Sequence, residues 1–278
     1  MTTHDDDILV LGATGKTGRH LVGALRAAGR RVRAASRSAE TRFDWSDQDT
    51  WAAALDGASA VYLVAPEDPA PVDAFVKQAT EAGVRRFVAL SGRGVERLSA
   101  EAFQGMAAAE RAVRDSGVEW SVIRPNNFNQ NFDDDAAWRP PLLAGRLALP
   151  IGATPEPFVD TRDIADVAAA LLTADGHQGQ VHELSGPRAL TFADAVRTIA
   201  EAAGRDIEFV ELDPAEYRAE LLAEGVPEEV VRDLDEMYAN MRAGHVAEPV
   251  DGVRRVLGRE PVDFAAYATE AAAAGAWA

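Results

Sequence analysis

The sequence predicts an α/β fold: a Rossmann-type doubly wound parallel sheet with a smaller, mainly C-terminal α/β substrate lobe. Three observations lead there. Apolar runs of strand length alternate with amphipathic segments through the first half, as repeated βα units require. Glycines at 12, 15 and 18 fall between the first such strand and the first such helix, where a phosphate-binding turn belongs. From about Asn126 the alternation gives way to longer loops and acidic helices.

The first element is the buried strand Ile8 to Leu11, preceded by an acidic start, Met1 to Asp7, that reads as a short disordered tail. Gly12 permits a sharp turn with positive φ. Gly15 lets a pyrophosphate approach the backbone, and Gly18 lets the helix pack closely on the strand. Leu21, Val22 and Leu25 share one helical face. The helix N-terminus offers free N–H groups and partial positive charge to a phosphate. The spacing is GxxGxxG, neither GxGxxG nor the Walker GxxxxGK[ST]. Taken alone, it also suits an ordinary glycine-rich turn.

Arg31 to Ser36 follows as a second strand, with Arg37 at its end. Phe43 to Asp47 leads to a short helix, Trp51 to Leu55. Ala60 to Ala65 is a buried strand closed by Pro66. Pro71 to Ala82 carries Val72, Phe75, Val76 and Ala79 at helical spacing. Arg86 to Ser91 is a strand, Ala102 to Asp115 a helix, and Glu119 to Pro125 a further strand. A loop of amides and aromatics then runs to Trp138 and Pro140. The stretch from Phe158 opens a helix whose acidic first turn suits the dipole. Val181 to Ser185 reads as a strand. Thr191, with Asp194 three residues on, caps a helix to about Ala203. Ile207 to Leu212 alternates as a strand does. Pro214 to Glu224, Pro227 to Arg242 and Pro261 to Ala274 read as helices. The division expected is 1–152 for the nucleotide-binding unit and 153–278 mainly for the substrate lobe, with segments interleaved.

Bulk properties narrow the function classes. Apolar residues are 47% and charged residues 26%, ordinary for a soluble globular chain. No run approaches the roughly 18 apolar residues of a membrane span, and the polar start is no signal peptide. The absence of cysteine excludes disulfides, thiolate metal sites and cysteine nucleophiles. A cytoplasmic location is expected. A net charge of −17 repels nucleic acid and anionic membranes, so neither is an expected partner. His4, His20, His177, His182 and His245 show no metal-ligand spacing, and no metal is expected.

These residues together resemble the NmrA-like branch of the atypical short-chain dehydrogenase/reductases. The matching pieces are GATGKTGRHLV at Gly12 to Val22, VALSG at Val88 to Gly92, and SGVEWSVIRPNNFNQNF at Ser116 to Phe132. FVDTRDIADVAAALL at Phe158 to Leu172 and GREPVDFAAYATEAA at Gly258 to Ala272 also match. The resemblance implies NAD(P)H held between a Rossmann domain and a substrate lobe. An NAD-selective site places an acid after the second strand to grip the ribose 2′-hydroxyl. Here that place holds Ser36-Arg37-Ser38, and a guanidinium suits a 2′-phosphate. A solvated surface arginine is the other reading. NADPH is the expected cofactor, with NADH possible.

One departure decides the chemistry. Classical short-chain dehydrogenase/reductases protonate the substrate with the Tyr of a Tyr-x-x-x-Lys motif. This chain has only Lys16 and Lys77, and none of Tyr62, Tyr217, Tyr238 or Tyr267 has a lysine four residues on. Hydride delivery to an isolated ketone yields an alkoxide of hydroxide-like proton affinity (about 15.7), costly without a positioned acid. Delivery to a quinone yields a phenolate-like oxygen near tyrosine's roughly 10, which water can protonate. Conjugated enones and iminium acceptors escape the same cost. The resemblance agrees, since several relatives are NADPH:quinone reductases. Others act in aromatic polyketide pathways, where the reduced ring reacts with dioxygen. An NADPH-dependent enzyme delivering hydride to a flat conjugated acceptor is expected, first of all a quinone, polycyclic ones included, with a pathway partner protein possible. The alternatives are a catalytically silent NAD(P)-sensing regulator and an iminium or enoyl reductase.

The cofactor candidates are Gly12, Thr14, Gly15, Lys16, Thr17 and Gly18 of the turn, then Arg37, Ala65, Pro66, Ser91, Pro125 and Asn127. Ser91 and Asn127 are also the catalytic candidates. Ser91 suits a donor to a developing oxyanion or a strand cap. Asn126, Asn127, Asn129, Gln130 and Asn131 suit either ligand contacts or loop backbone. Phe128, Phe132, Trp138 and Met106 are the substrate candidates, with Met237, Tyr238 and Met241 as further walls or plain core. Asp160 and Asp163 are explained by helix capping.

Overall fold

The computed structural model describes residues 7–278. The expected tail from Met1 to Asp6, His4 included, lies outside the described residues. Asp7 does not belong to a tail. It begins β1 (Asp7–Leu11) and its carboxylate pairs with Arg31 at 2.7 Å and Arg33 at 3.3 Å. The chain continues through α1 (Gly18–Ala27), β2 (Val32–Ser36), β3 (Thr41–Arg42), α2 (Asp49–Leu55), β4 (Ala58–Val64) and α3 (Val72–Glu81). Next come β5 (Arg86–Leu90), α4 (Gln104–Asp115), β6 (Glu119–Pro125), α5 (Arg139–Leu143), β7 (Arg146–Leu149) and α6 (Thr161–Thr173). The last elements are β8 (Gln180–Leu184), α7 (Phe192–Ala203), β9 (Glu208–Glu211), α8 (Pro214–Ala223), α9 (Glu228–Arg242), α10 (Gly252–Leu257) and α11 (Phe264–Ala273).

Seven strands form one parallel sheet in the order β3-β2-β1-β4-β5-β6-β8. The strand period of two explains how β1 serves both faces. Leu9 and Leu11 join Trp51, Phe75, Phe87 and Val113 in the core under α2, α3 and α4. Ile8 and Val10 join Leu21, Tyr62, Ile164 and Leu171 in the core under α1 and α6. Strand order reverses between β1 and β4, and a crevice opens outside the carboxyl ends of strands at such a point.

A second, two-stranded parallel sheet, β7 with β9, underlies the smaller lobe. Its core is aromatic: Phe132, Phe158, Phe192, Phe264, Tyr238, Tyr267 and Trp277. The chain passes between the two parts more often than a boundary near 152 conveys. Residues 139–149, counted with the first unit, form α5 and β7 of the lobe. In the other direction, α6, β8 and α10 complete the large sheet and its cover. The elements that the sequence did not predict, β3, α5, β7 and α10, are at most six residues long, too short to show a period. No helix among the described residues is long and apolar enough to cross a membrane.

Candidate active site

Two hollows lie side by side at the carboxyl ends of the strands. The first is an open groove of about 970 Å³ over the ends of β1, β2 and β4. Gly12 turns the chain with φ +64°. Gly18 has no alternative, since a Cβ there would lie 2.2 Å from Gly12 O. At Gly15 a Cβ would meet only that same oxygen, at 3.2 Å, so the backbone stays open to the groove. The N-terminus of α1 has no side-chain cap and no acid in its first turn. Its N–H groups and dipole are therefore available to an anion.

Arg37 stands exposed on the rim between Ser36 and Ser38 and makes no hydrogen bond or ion pair among the described residues. Asp44 on the same groove is held by Ser46, whose N and Oγ donate at 3.0 and 2.8 Å. Thr14 Oγ1 donates to Ser36 Oγ at 3.2 Å, tying the turn to β2. The floor is rigid. Trp45 packs edge-on against Phe43 and Phe75 at 5.1 and 5.0 Å and donates from Nε1 to Val64 O. Ala65 and Pro66 complete the wall. An uncapped helix start, a glycine cradle and an exposed guanidinium, which adds to Ser46 in lowering the pKa of Asp44 across the groove, fit a dinucleotide with a 2′-phosphate.

Two turn residues are placed otherwise than expected. Lys16 reaches away from the groove to Asn131 Oδ1 at 2.6 Å and Asp134 at 2.7 Å. Thr17 is buried, and its hydroxyl accepts from Tyr62 OH at 3.0 Å. Its backbone N–H stands at the start of α1, where a phosphate would lie.

The second hollow is a cleft of about 190 Å³ between the ends of β5 and β6, the start of α4, and α9. The groove and cleft adjoin where Gly105 of α4 rests on Pro66. A Cβ on Gly105 would lie 1.7 Å from Pro66 O, so only glycine allows that approach. Phe103, just before α4, has φ +49°, a sparsely populated conformation for an aromatic residue. It lines the cleft with Val95, Leu98, Met106, Phe128, Met237 and Met241.

Ser91, Pro125, Asn127 and Phe128 also line this cleft, so it gathers both catalytic candidates. Ser91 is 3% exposed, and its Oγ makes no hydrogen bond of good geometry. It lies near Glu110 on α4. Burial raises the Glu110 pKa, but Arg124, Ser91 and Arg114 outweigh it and hold the carboxyl below its usual value. Arg124 grips Glu110 through Nε and Nη2, both at 2.8 Å.

Phe132 and Trp138 do not line the cleft. Phe132 is wholly buried, with Trp138, Phe158 and Phe264 centred 4.8, 5.1 and 5.3 Å away. Apolar loop residues beside a lobe core are drawn into it, because burial there removes more apolar surface from water. Tyr238 is likewise core, while its neighbours Met237 and Met241 reach the cleft. Asp160 caps α6, accepting from Arg162 N at 2.8 Å, and Asp163 accepts from Val262 N.

The cleft's two charged residues went unnoticed in the sequence, as did its apolar residues Val95, Leu98, Phe103 and Val246 and the amide of Asn240. Arg93 donates to Asn126 Oδ1 and to the carbonyls of Val246 and Glu248. Glu156 is 2% exposed, and its Oε1 accepts from Asn126 Nδ2, Asn127 N and Asn127 Nδ2. Burial raises its pKa above the usual carboxyl value, and those hydrogen bonds and Arg93 offset the rise only in part. A lone glutamate between two prolines reads as a solvated loop, so no sequence signal marks it.

A third groove of about 940 Å³ lies at the opposite strand ends. Arg86 there is taken up by Glu119 and Asp175 at 2.7 and 2.6 Å, and parallel sheets bind ligands at the other end.

Comparison with known proteins places the chain. The NmrA-like family profile matches residues 4–268. A protein of Streptomyces griseus subsp. griseus named (4-alkanoyl-5-oxo-2,5-dihydrofuran-3-yl)methyl phosphate reductase is 35% identical over 282 residues, covering 96% of this chain and 98% of that protein. The NAD(P)H azoreductase of Xenophilus azovorans is 31% identical over 284 residues, with the same coverage. The NADPH-dependent quinone oxidoreductase of Escherichia coli, solved with NADPH, superposes with a TM-score of 0.76 at 20% identity, covering 95% of this chain and 99% of that one. That likeness speaks for the fold. With the profile and both relatives matched over almost the full length, the chain belongs to the NmrA-like family.

Proposed function

We propose that this protein delivers hydride from NADPH to a flat, uncharged, conjugated acceptor, a quinone whose reacting ring enters the cleft. The protein is an NAD(P)H-dependent oxidoreductase, as its curated relatives are reductases by name. NADPH, when bound, supplies the hydride. The Gly12–Gly18 turn and the α1 N-terminus hold its pyrophosphate, and Arg37 pairs with the 2′-phosphate.

The observation that carries the substrate class is the lining of the cleft. Methionines and phenylalanines give it adaptable apolar walls, and neither tyrosine nor lysine lines it. With neither of these, and with Glu156 Oε1 taken up by three N–H groups of the Asn126–Asn127 segment, the product oxygen is one that water can protonate, as a hydroquinone oxygen is. The cleft's one cation, Arg93, is committed to Asn126, to two carbonyls and to Glu183 at 3.5 Å. An anionic acceptor would find no partner. The Streptomyces relative's name describes a conjugated unsaturated lactone carrying a phosphate. The conjugation suits this cleft and the phosphate does not. At about 190 Å³ the cleft is smaller than the roughly 300–1,000 Å³ of drug-sized pockets. It encloses a ring or two and leaves the rest of a polycycle outside.

The test is NADPH oxidation with a panel of neutral and sulfonated quinones of one to four rings, with NADH run in parallel and oxygen uptake recorded. Turnover with neutral small quinones and weak turnover with sulfonated ones is expected. Oxygen uptake beyond that of the free hydroquinone would extend the reading to an oxygen-dependent hydroxylation. Tight NADPH binding without oxidation by any quinone or enone would overturn it in favour of a cofactor-sensing regulator.

A further inference from the structure

The geometry points to Glu156 as a positioning residue: it fixes the Asn127 side chain with its carbonyl oxygen toward the cleft, where that oxygen accepts an N–H of the nicotinamide carboxamide. The inference rests on the reading above and adds that the nicotinamide of NADPH sits at the mouth of this cleft, against the acceptor ring.

Both partners are held from the backbone. Glu156 N donates to Leu190 O at 2.8 Å, and Leu190 N returns a bond to Glu156 O at 3.0 Å. On the facing segment, Val159 N donates to Asn127 O at 2.9 Å, and Asn127 N donates to Glu156 Oε1 at 3.0 Å. The carboxylate is thus fixed against the start of the Asn127 loop before any side chain is placed. Asn126 Nδ2 donates to Oε1 at 2.9 Å and to Val246 O at 3.0 Å, while Asn126 Oδ1 accepts from Arg93 at 2.9 Å.

Glu156 Oε1 already accepts from Asn127 N and Asn126 Nδ2, so that oxygen is an acceptor whether or not the carboxyl is ionised. The end of the Asn127 amide that faces it must therefore be the NH₂ group. That group lies 3.3 Å from Glu156 Oε1 and 3.5 Å from Met241 Sδ. With both donors turned inward, the carbonyl is the end left for a ligand. Asn127 then offers no donor to a developing oxyanion, and its catalytic candidacy becomes a cofactor-orienting role. A carboxamide supplies the complementary donor, and an amide pair of this kind sets the tilt of the ring that carries the hydride.

The experiment is equilibrium binding, measured by calorimetry, of three probes: NADP⁺, its 3-acetylpyridine analogue, and 2′,5′-ADP. The analogue has a methyl ketone where NADP⁺ has the carboxamide and so lacks the N–H donor. The wild-type protein should bind NADP⁺ about three- to tenfold more tightly than the analogue, the worth of one net hydrogen bond. Asn127→Leu should bring that ratio to about one. Glu156→Leu should do the same, because nothing then holds the amide. Glu156→Gln should preserve it, since the Gln Oε1 still accepts from the same three N–H groups. Where Glu156→Leu does not fold, Glu156→Thr, which also lacks the acceptor at that reach, carries the same test. The probe 2′,5′-ADP lacks the nicotinamide and reports on the groove alone, so its binding shows that each variant is folded. Equal affinity of the wild-type protein for NADP⁺ and the analogue overturns the inference. So does a ratio that survives Glu156→Leu, or one lost in Glu156→Gln as fully as in Glu156→Leu. Failure of the wild-type protein to bind 2′,5′-ADP overturns the cofactor assignment itself, and the inference with it.

Discussion

Arg37 is an exposed guanidinium in a chain of net charge −17, on the rim of the groove where its position is useful to a 2′-phosphate. Arg37→Ala should weaken NADPH binding about tenfold, the loss of charge-assisted hydrogen bonds tempered by solvent, and leave NADH binding nearly unchanged. Titration of both cofactors against the variant checks this. Glu156 and Asp160 are buried carboxyls whose pKa values move in opposite directions. At Glu156 burial dominates and raises the pKa above 4.5. Its contribution to stability is therefore present below that value and lost as pH rises through the folded pKa. Asp160 is lowered despite its burial, because Arg162 donates to it from Nε, Nη2 and the backbone. Its contribution is present above its unfolded value and lost as pH falls through the lower folded pKa. Urea unfolding should therefore show Glu156→Gln gaining on wild type as pH rises above 4.5, and Asp160→Asn closing its deficit only in acid.

Element packing makes other demands. α1 and α4 both begin against backbone at glycines with no room for a methyl group: Gly18 at Gly12 O and Gly105 at Pro66 O. Forcing a Cβ into such contacts costs about 1–3 kcal/mol in overpacking, or several degrees of Tm. Gly105→Ala should also push Pro66 into the groove and weaken NADPH binding, which separates it from a purely structural defect. Gly23→Ala serves as the control, because a Cβ there meets nothing within 4 Å and alanine favours a helix. Thermal melts of the three proteins with and without NADPH decide the matter. The start of α6 is another joint. Asp160 caps the helix, and Gln130 Oε1 accepts from Thr161 N at 2.9 Å, so the helix start is bound to the cleft-bearing loop.

The chain as a whole carries a strong excess of negative charge, and self-repulsion opposes the folded state. Salt screens it, with a Debye length of about 10 Å at 0.1 M. Tm should rise between 0.02 and 0.5 M NaCl, and NADPH binding should weaken over the same range as the Arg37 pairing is screened. A Tm that falls with salt would mean that the ion pairs stabilise more than the net charge destabilises. The two hollows lie on opposite sides of the Gly105–Pro66 contact, one open with the glycine turn and Arg37 on its edge, the other small and lined by methionines and phenylalanines beside the amide loop. In the function proposed above, this arrangement holds a polyanionic cofactor beside a neutral acceptor in a net-acidic protein.

The βα rhythm, the glycine turn and the capped starts of α6 and α7 were legible in the amino-acid order, because each is specified within a few residues. So were the arginine in place of an acid after β2 and the missing Tyr-x-x-x-Lys dyad. The long-range choices were not. Lys16 finds partners more than a hundred residues away. Phe132 and Phe128 look alike in a mixed amide–aromatic loop, yet one is core and the other lines the cleft. Glu156 becomes a site residue only because the Leu190 bridge brings it under Asn127. Periodicity and turn chemistry are local and survive reading in one dimension. The face a loop side chain presents, and the company a lone carboxylate keeps, are settled by packing between segments far apart in the chain.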